Sequence, residues 1–479
     1  MLHGIDTKRE QQKQTLQDAQ TNIICVLGTS PTFVLDEENK TLNTPVPVRN
    51  YTDLAKYAGD NYRNYTIYDA IDTIFQESDG ATVYMINVFD ETKHKTTVEN
   101  EQHTPIANKF NISHIGLSNL KIKVGDETGT EGEDYEVTTN ADDCTITLKS
   151  EAFKNAQAST MLCSYDYADT TKVTAADFVG TVDADGNKTG AKAITNITQI
   201  YGDDVNIIIA PEFSAQPTVR DAINNVADDI KARTYLDAPK NTRVNAAIQG
   251  RNNNQGVDLM CSDKNAYMAL PWVKRYNQFL DETLIKPLSP VLAGIRVRLN
   301  KEQDIAKSID NTKSRTIKGL EFPVEFILNK ENTESNALNA VGIGTVINWK
   351  GSFRIWGARN CGYPSETGIE TFDSVIDTAN FIEKTIESGS FECVGGKVTR
   401  AWIDNVLESI KAKFNTWKNP EVGLILDGDV WYDEQLNDAE TVANGFVRFN
   451  YDFCPPSVAE HIRFSSFINI KYITTALSA

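Results

Sequence analysis

Five histidines, His3, His94, His103, His114 and His461, are the side chains best suited to bind a metal or move a proton, and three of them fall within 21 residues, from 94 to 114. A metal site wants imidazoles two or four positions apart, or a rigid scaffold with hydrogen-bonding partners behind the ligands. Spacings of 9 and 11 in a polar stretch meet neither condition, so these three read as solvated loop histidines. A serine hydrolase joins a Ser, a His and an acid, yet no GxSxG occurs and no histidine lies between 115 and 460. A triad would have to recruit His114 or His461 from far along the chain. "VGIGTV" holds Gly342 and Gly344 without the third glycine of a dinucleotide fingerprint, and no GxxxxGK[ST] is present. Asp203 and Asp204 in "YGDDV" are adjacent, so on a strand they face opposite sides. They read as a solvated strand-entry turn rather than a carboxylate pair. No catalytic set, no metal site and no cofactor follows from these residues.

The seven cysteines (Cys25, Cys144, Cys163, Cys261, Cys361, Cys393 and Cys454) are odd in number, widely spaced and form no CxxC. They suit free, mostly structural thiols in a reducing compartment. With 47 basic and 66 acidic residues the net charge is −19, which disfavours binding to nucleic acid by the chain as a whole. No apolar run reaches the roughly 18 residues of a membrane span. The polar opening "MLHGIDTKREQQKQTLQDAQ" lacks a signal-peptide core, which makes general secretory export unexpected. A chain of 479 residues has room for two to four domains.

The elements read as follows. Residues 1–20 are a polar arm, either disordered or ordered only on a partner. "NIICVLGTSP" and "ATVYMINVF" read as buried strands, with helices in "YTDLAKYAGD" and "YDAIDTIFQESDG" between them, the second closed by Gly80. This is an α/β layer over 21–95. From Lys121 to Lys188 there are 14 acids and 6 bases, and short alternating runs such as "LKIKV", "DYEVTT", "CTITLKS" and "MLCSYDY". These predict an acidic, outward-facing β-sandwich inserted over 96–195. The α/β character returns over 196–345. "DVNIIIAP" is a strand, Thr218 caps the helix that follows, "TYLDAP" is the next parallel strand, and "AYMALPWVKRY" is another strand. Residues from about 300 to 320 are polar and loop-rich.

The last domain, 346–479, carries two amphipathic helices. Phe372, Val375, Ile376, Ala379, Ile382 and Ile386 share one face of the first, and Ile403, Leu407, Ile410, Phe414 and Trp417 one face of the second. Strands follow. In "VRFNYDFCPP", Val447, Phe449, Tyr451 and Phe453 point to one side and Arg448, Asn450 and Asp452 to the other. In the tail "FSSFINIKYITTAL", Ile468, Ile470 and Tyr472 alternate with Asn469 and Lys471. The fold class is thus α/β and α+β multidomain.

The chain resembles the contractile tail sheath proteins of bacteriophages, a family shared with R-type bacteriocin sheaths. "NIICVLGTSP", "TPVPVRNYTDLAKYAGD", "DGATVYMINV" and "NIIIAPEFS" followed by "YLDAP" resemble its α/β elements in order. "GSFRIWGARNCG" resembles its hinge into the last domain, with Trp356 and Gly357 in place. "TRAWIDNVLESIKAKFNTW" resembles its terminal helix, and "VRFNYDFCPPSVAEHIRF" its near-terminal strands. The arm departs from the family's β-branched opening, and the acidic insert is a decoration that the smallest sheaths lack.

The resemblance implies a structural subunit, not an enzyme. Its middle domain would be subtilisin-like in fold and carry no triad; a hydrolase on that scaffold is the alternative. It implies hexameric rings of the chain itself, stacked helically around a tail tube protein, with baseplate and tail terminator proteins at the ends, and no membrane or direct nucleic-acid contact. The sleeve would assemble in the host bacterial cytoplasm and reside in the virion tail. Terminal strands exchanged between subunits would hold it together. Ile5 in the arm and Ile468, Ile470 and Tyr472 in the tail are candidate donors, and Val447, Phe449, Tyr451 and Phe453 candidate acceptors. A simple hairpin of 447–453 with 464–473 stands open beside this. Arg400, Lys411 and Lys418 fall within about 20° of one another on a helix and are candidates to face acidic groups on the tube.

Overall fold

The computed structural model describes residues 16–155, 160–253 and 256–473. The chain lays down β1 (Ile23–Gly28), β2 (Val46–Val48) and β3 (Thr82–Asn87). All six residues of β1 are buried, as a continuous apolar run covered on both faces must be. The helix Tyr51–Ala58 starts at Asn50, whose side chain accepts the Asp53 N–H at 2.9 Å. The helix Ile67–Glu77 turns Ile67, Ala70, Ile71 and Ile74 onto the sheet.

An antiparallel insert follows: β4 (Lys95–His103), β5 (Lys109–Ile112), β6 (Leu117–Val124), β7 (Glu127–Thr128), β8 (Tyr135–Thr139), β9 (Cys144–Leu148) and β10 (Met161–Ala168). They form two sheets, β4-β10-β6-β7 and β5-β9-β8, around Ile112, Ile122, Tyr135, Ile146, Leu148 and Tyr165. Its strands end at Ala168, not near 195. Val173, Phe178, Ile194 and Ile197 beyond it pack into the core of the main sheet. Phe178 stacks on Phe213 at 4.0 Å, and this attachment draws the segment away from the insert.

The main sheet resumes with β11 (Ile207–Ile209), β12 (Arg233–Asp237) and β13 (Ala266–Ala269). The helix Pro217–Asp229 links β11 to β12; Gln216 is its N-cap, so Thr218 lies inside the first turn. Pro at the first helical position is already fixed at a helical φ, which moves the start two residues earlier, from Val219 to Pro217. "AYMALPWVKRY" is two strands, because Pro271 has no N–H to continue the ladder. β14 (Val273–Asn277) joins β15 (Glu282–Lys286) and β16 (Gly319–Leu320) in a separate sheet. Between β15 and β16 runs the helix Ser289–Glu302, buried from Ser289 to Leu299 on all sides.

β17 (Ile343–Trp349) and β18 (Ser352–Trp356) complete the eight-stranded sheet, in the order β18-β17-β13-β12-β11-β1-β3-β2. A domain boundary at 346 would cut β17. The inner pairings are parallel and both edge pairings antiparallel. Alternate residues of β1 feed two cores, Cys25 and Leu27 on one face and Ile24 and Val26 on the other. The chain then forms the helices Asp373–Gly389 and Arg400–Trp417 and the pair β19 (Asp427–Tyr432) and β20 (Phe449–Cys454).

Candidate assembly interface

Among the described residues β20 pairs with β19 alone, placing Tyr451 opposite Val430 and Phe453 opposite Gly428. Phe449, Tyr451 and Phe453 line one side, against the helix Arg400–Trp417; Tyr451 lies 6.3 Å from the Phe414 ring and Phe449 6.0 Å from Trp402. Val447 falls outside the strand. Gly428 permits the close approach, since a Cβ there would lie 2.7 Å from Asp452 O and 3.2 Å from Phe414 Cδ1. A sheet of two strands leaves one backbone edge of each without a ladder partner among the described residues.

Beyond Pro455 the chain leaves this sheet. Arg359 holds it briefly, pairing with Glu460 at 2.6 Å while lying over the Phe372 ring. Phe464, Phe467 and Ile468 are then 90 %, 88 % and 99 % exposed. The hairpin of 447–453 with 464–473 does not form. Ile468 is in coil, Ile470 in a turn and Tyr472 in a helical turn rather than in an alternating strand. A segment that pairs with no edge has no ladder to hold it extended.

Ile5 lies outside the described residues. The last residues of the arm are tied to the chain's own body: Leu16 is buried in the helical domain, Ala19 N donates to Thr385 Oγ1 at 3.0 Å, and Asp18 pairs with Lys413 at 2.8 Å. Arg400, Lys411 and Lys418 lie along one side of their helix, but acids of the same domain already meet them. Arg400 pairs with Asp404 at 3.1 Å and Lys411 with Asp429 at 3.9 Å. Lys418 pairs with Asp427 at 3.2 Å and donates to Gly428 O. The Gly428 N–H and Lys418 hold the Asp427 carboxyl below the usual range. The bare cationic stripe read from the sequence is therefore a row of ion pairs, because β19 brings Asp427 and Asp429 beneath Lys418 and Lys411 and the helix itself sets Asp404 one turn from Arg400.

The helical domain meets the sheet through charge. Arg233 on β12 pairs with Asp373 and, at 3.2 Å, with Asp377; Arg296 reaches Asp377 at 3.4 Å and donates to Lys307 O at 2.6 Å. Burial pushes Asp377 up to about 6 against the pull of Arg233 and Arg296. Lys384, about two turns further along, donates to Val205 O at 2.7 Å, and burial brings it down to about 8. So the helix Asp373–Gly389 buries a polar face, Asp373, Ser374, Asp377, Thr378 and Thr385, as well as the apolar face read from its periodicity. Glu77 is closed in the same way by Arg298 at 2.9 Å, Thr316 Oγ1 at 2.8 Å and the Thr316 N–H at 2.9 Å. Asp237, at the end of β12, accepts Ser289 Oγ at 2.6 Å and the Leu288 and Ser289 N–H groups at 2.9 Å; burial still pushes it up to about 6. Sequence reading missed all of these. Their only signal is a pair of arginines set in the apolar run "SPVLAGIRVRLNKE" and aspartates four apart at 373 and 377.

The three clustered histidines, His94, His103 and His114, are not solvated. His94 is buried at the root of the insert, where its Nδ1 accepts the Asp90 N–H at 3.0 Å and its Nε2 faces Asp177 at 3.4 Å. His103 stacks on Phe110 and lies 3.0 Å from Glu101, while His114 stacks on Tyr167 and shares a 3.1 Å hydrogen bond with Tyr165. Tyr165 in turn donates to Glu101 at 2.6 Å. Burial would raise the Glu101 carboxyl, but hydrogen bonds from Tyr165 and His103 bring it below its usual value. His461 sits in the exposed tail. Asp203 accepts from Tyr84 Oη at 2.6 Å and Asp204 is exposed. Among the described residues no three His, Cys, Asp or Glu side chains are grouped to hold a metal ion, and no helix is long and apolar enough to cross a membrane.

Residues 186–361 match the family model of the phage tail sheath protein central domain. The chain is 30% identical over 480 residues to the tail sheath protein of Burkholderia phage BcepMu, covering 99% of this chain and 98% of that one. It is 25% identical over 306 residues to the tail sheath protein of Escherichia phage P2, covering 64% of this chain and 74% of that one. Its fold is similar to the helical sheath of the anti-feeding prophage in the contracted state, with a TM-score of 0.58 at 12% identity over 98% of this chain and 99% of that one. The sheath complex of the extracellular contractile injection system PVC, also contracted, gives 0.57 at 12% identity and the same coverage. On its full-length kinship with the BcepMu protein, the chain belongs to the phage tail sheath family.

Proposed function

We propose that the chain is the repeating subunit of a contractile tail sheath and that copies are joined through their ends. One observation carries this reading: a tail with bare apolar side chains at Phe464, Phe467 and Ile468 belongs to a domain whose terminal sheet has only two strands among the described residues. A tail from one copy, laid along β19 or β20 of the next, would gain about five backbone hydrogen bonds worth a net ~1 kcal/mol each. Burying each large apolar side chain would add roughly 1.5–3 kcal/mol. In that setting Ile468, Ile470 and Tyr472 recover the alternation of a strand, against a template carrying Phe449, Tyr451 and Phe453. The arm bearing Ile5 supplies a second link.

In this reading six copies form a ring, rings stack helically around a tail tube, and baseplate and terminator proteins close the ends. The sleeve assembles in the host cytoplasm, and its contraction drives the tube through the bacterial envelope. The work comes from repacking subunits, with no nucleotide consumed. The parallel sheet serves as a subtilisin-like scaffold without its chemistry. His114 is committed to tyrosines of the insert and His461 is in the tail, which leaves the hydrolase alternative without support. The tube side of the helix Arg400–Trp417 acts through Arg400 and Lys411, whose side chains are 72% and 49% exposed, more than through Lys418 at 31%.

Negative-stain microscopy of the purified chain tests the reading. The full chain should form rings or tubes, and a chain ending at Arg463 should stay folded and dispersed. Tubes of normal length from the shortened chain would overturn the proposal.

A further inference from the structure

The small sheet of β14, β15 and β16 carries a cationic outer face in a chain of net charge −19. Along β14, Val273, Arg275 and Asn277 are buried, whereas Lys274 and Tyr276 alternate outward. Lys274 O accepts the Lys318 N–H at 2.9 Å, and the Lys274 side chain runs past Gly319, where a Cβ would lie 3.2 Å from its Cδ. Trp272, just ahead of the strand, accepts the Glu321 N–H on its O at 2.9 Å and is covered by Lys240, whose Nζ lies 5.6 Å from the ring centre. Arg243 lies over Phe322 at 4.4 Å. These bonds and ring contacts draw four exposed cations, Lys240, Arg243, Lys274 and Lys318, to one surface, and none of them forms an ion pair among the described residues. Glu321 lies among them with its Oε1 taken by the Asn241 N–H at 2.9 Å.

The insert carries the opposite charge at its free end. The chain enters it at Lys95 and leaves it at Ala168, which face each other across β4 and β10. The hairpin of β6 and β7 lies at the other end, where Lys123 pairs with Leu162, about 20 Å away along β10. From Gly125 to Glu136 there are six acids, and no Lys or Arg lies between Lys123 and Lys149. Asp126, Glu127, Glu131 and Glu133 are exposed, and none of them forms an ion pair among the described residues. Unpaired like charges repel one another, and a facing surface of opposite sign relieves both.

We propose that the cationic face of β14 and β16 docks the acidic insert tip of a second copy of this chain. Charge complementarity selects the occupant: the face is short of anions, and the tip is a dense run of them on an arm that projects from the body. A tip on one copy and a face on the next make a head-to-tail contact, which propagates into rings or helices instead of closing on a pair. Its charges stay near water, so they set register and speed of encounter more than affinity. The contact needs only two copies and uses neither chain end, so it goes beyond the end-to-end links proposed above and does not depend on them.

The test mixes unlabelled full-length chain with the same chain carrying heavy nitrogen, at low ionic strength. A carbodiimide then joins lysines to carboxylates in direct contact, and mass spectrometry maps the joined peptides. The expected result is light–heavy peptide pairs linking Lys274 or Lys318 to Glu127, Glu131 or Glu133. They should fall roughly tenfold in about 1 M salt, where the screening length is about 3 Å. Lys274→Glu with Lys318→Glu should remove them at an unchanged melting temperature, and mixing that variant with Glu131→Lys plus Glu133→Lys should restore links between the exchanged positions. Should a variant misfold, the wild-type map decides alone. Light–heavy links that leave these residues out, links confined to one chain, or links that salt does not weaken would each overturn the proposal. So would links from Lys274 or Lys318 to added tail tube protein in place of the insert.

Discussion

Arg233, at the start of β12, and Asp373, at the head of the helix Asp373–Gly389, form an ion pair shut away from water, with side chains 3% and 0% exposed. Replacing one partner strands the other charge in a buried setting, which costs about 3–5 kcal/mol. Asp373→Ala should therefore lower stability in urea by that amount, more than any substitution in the exposed tail. An unchanged urea midpoint would show that the pair does not hold the joint.

Asp237 should make stability depend on pH. Its folded value of about 6 lies above the usual 3.9 of an unfolded aspartate, so the folded chain holds the proton more tightly between those values. Its contribution is therefore fully present below about pH 4 and lost as pH rises through 6, a span on the order of 2–3 kcal/mol. Asp237→Asn keeps an acceptor for the Leu288 and Ser289 N–H groups and carries no charge. Relative to wild type, the variant should gain stability between pH 5 and pH 7.5, as measured by urea unfolding at both.

Ile468→Asp with Ile470→Asp should separate folding from assembly. Both side chains stand in solvent, so the melting temperature of the single chain should move little, within about 0.5 kcal/mol of stability. Sedimentation should show loss of the polymer. Polymer formation at wild-type levels would remove these residues from the interface.

Gly428→Val should fail earlier. The new side chain meets Asp452 O and the Phe414 ring, and overpacking of this kind costs about 1–3 kcal/mol. Tryptophan fluorescence of the helical domain should report the loss at lower urea than in the wild type.

Lys411→Glu with Lys418→Glu should leave the chain folded, because pairs this exposed contribute about 1 kcal/mol or less. Co-assembly with the tube should be lost. Normal tube-bound sleeves would assign the tube contact to another surface.

Much of this was legible in the residues. The strands at 23–28, 82–87 and 207–209 are continuous apolar runs, and a strand buried on both faces can be little else. β20 was legible because Phe449, Tyr451 and Phe453 alternate with polar partners. The helix Ser289–Glu302 was not, because burial on every side erases the one-sided periodicity that marks a helix at a surface. The insert's exit at Ala168 was hidden because residues 173–197 bury scattered apolar groups rather than an ordered pattern. The tail gave an alternating pattern without the strand, since alternation along a sequence does not by itself supply the ladder that holds a segment extended. The ion-paired state of Lys411 and Lys418 depended on where β19 crosses beneath them, which spacing along the helix cannot tell, whereas the Arg400–Asp404 pair is an i, i+4 spacing that the sequence did show.

The cluster of Arg233, Arg296, Asp373 and Asp377 occupies the place where a flexible protein would put a hinge. Buried charges tolerate no half-open position, because any gap leaves them facing neither water nor each other. Under mechanical load the molecule should therefore move as one stiff block, and in the proposed sleeve the slack that shortening demands falls to the links between blocks.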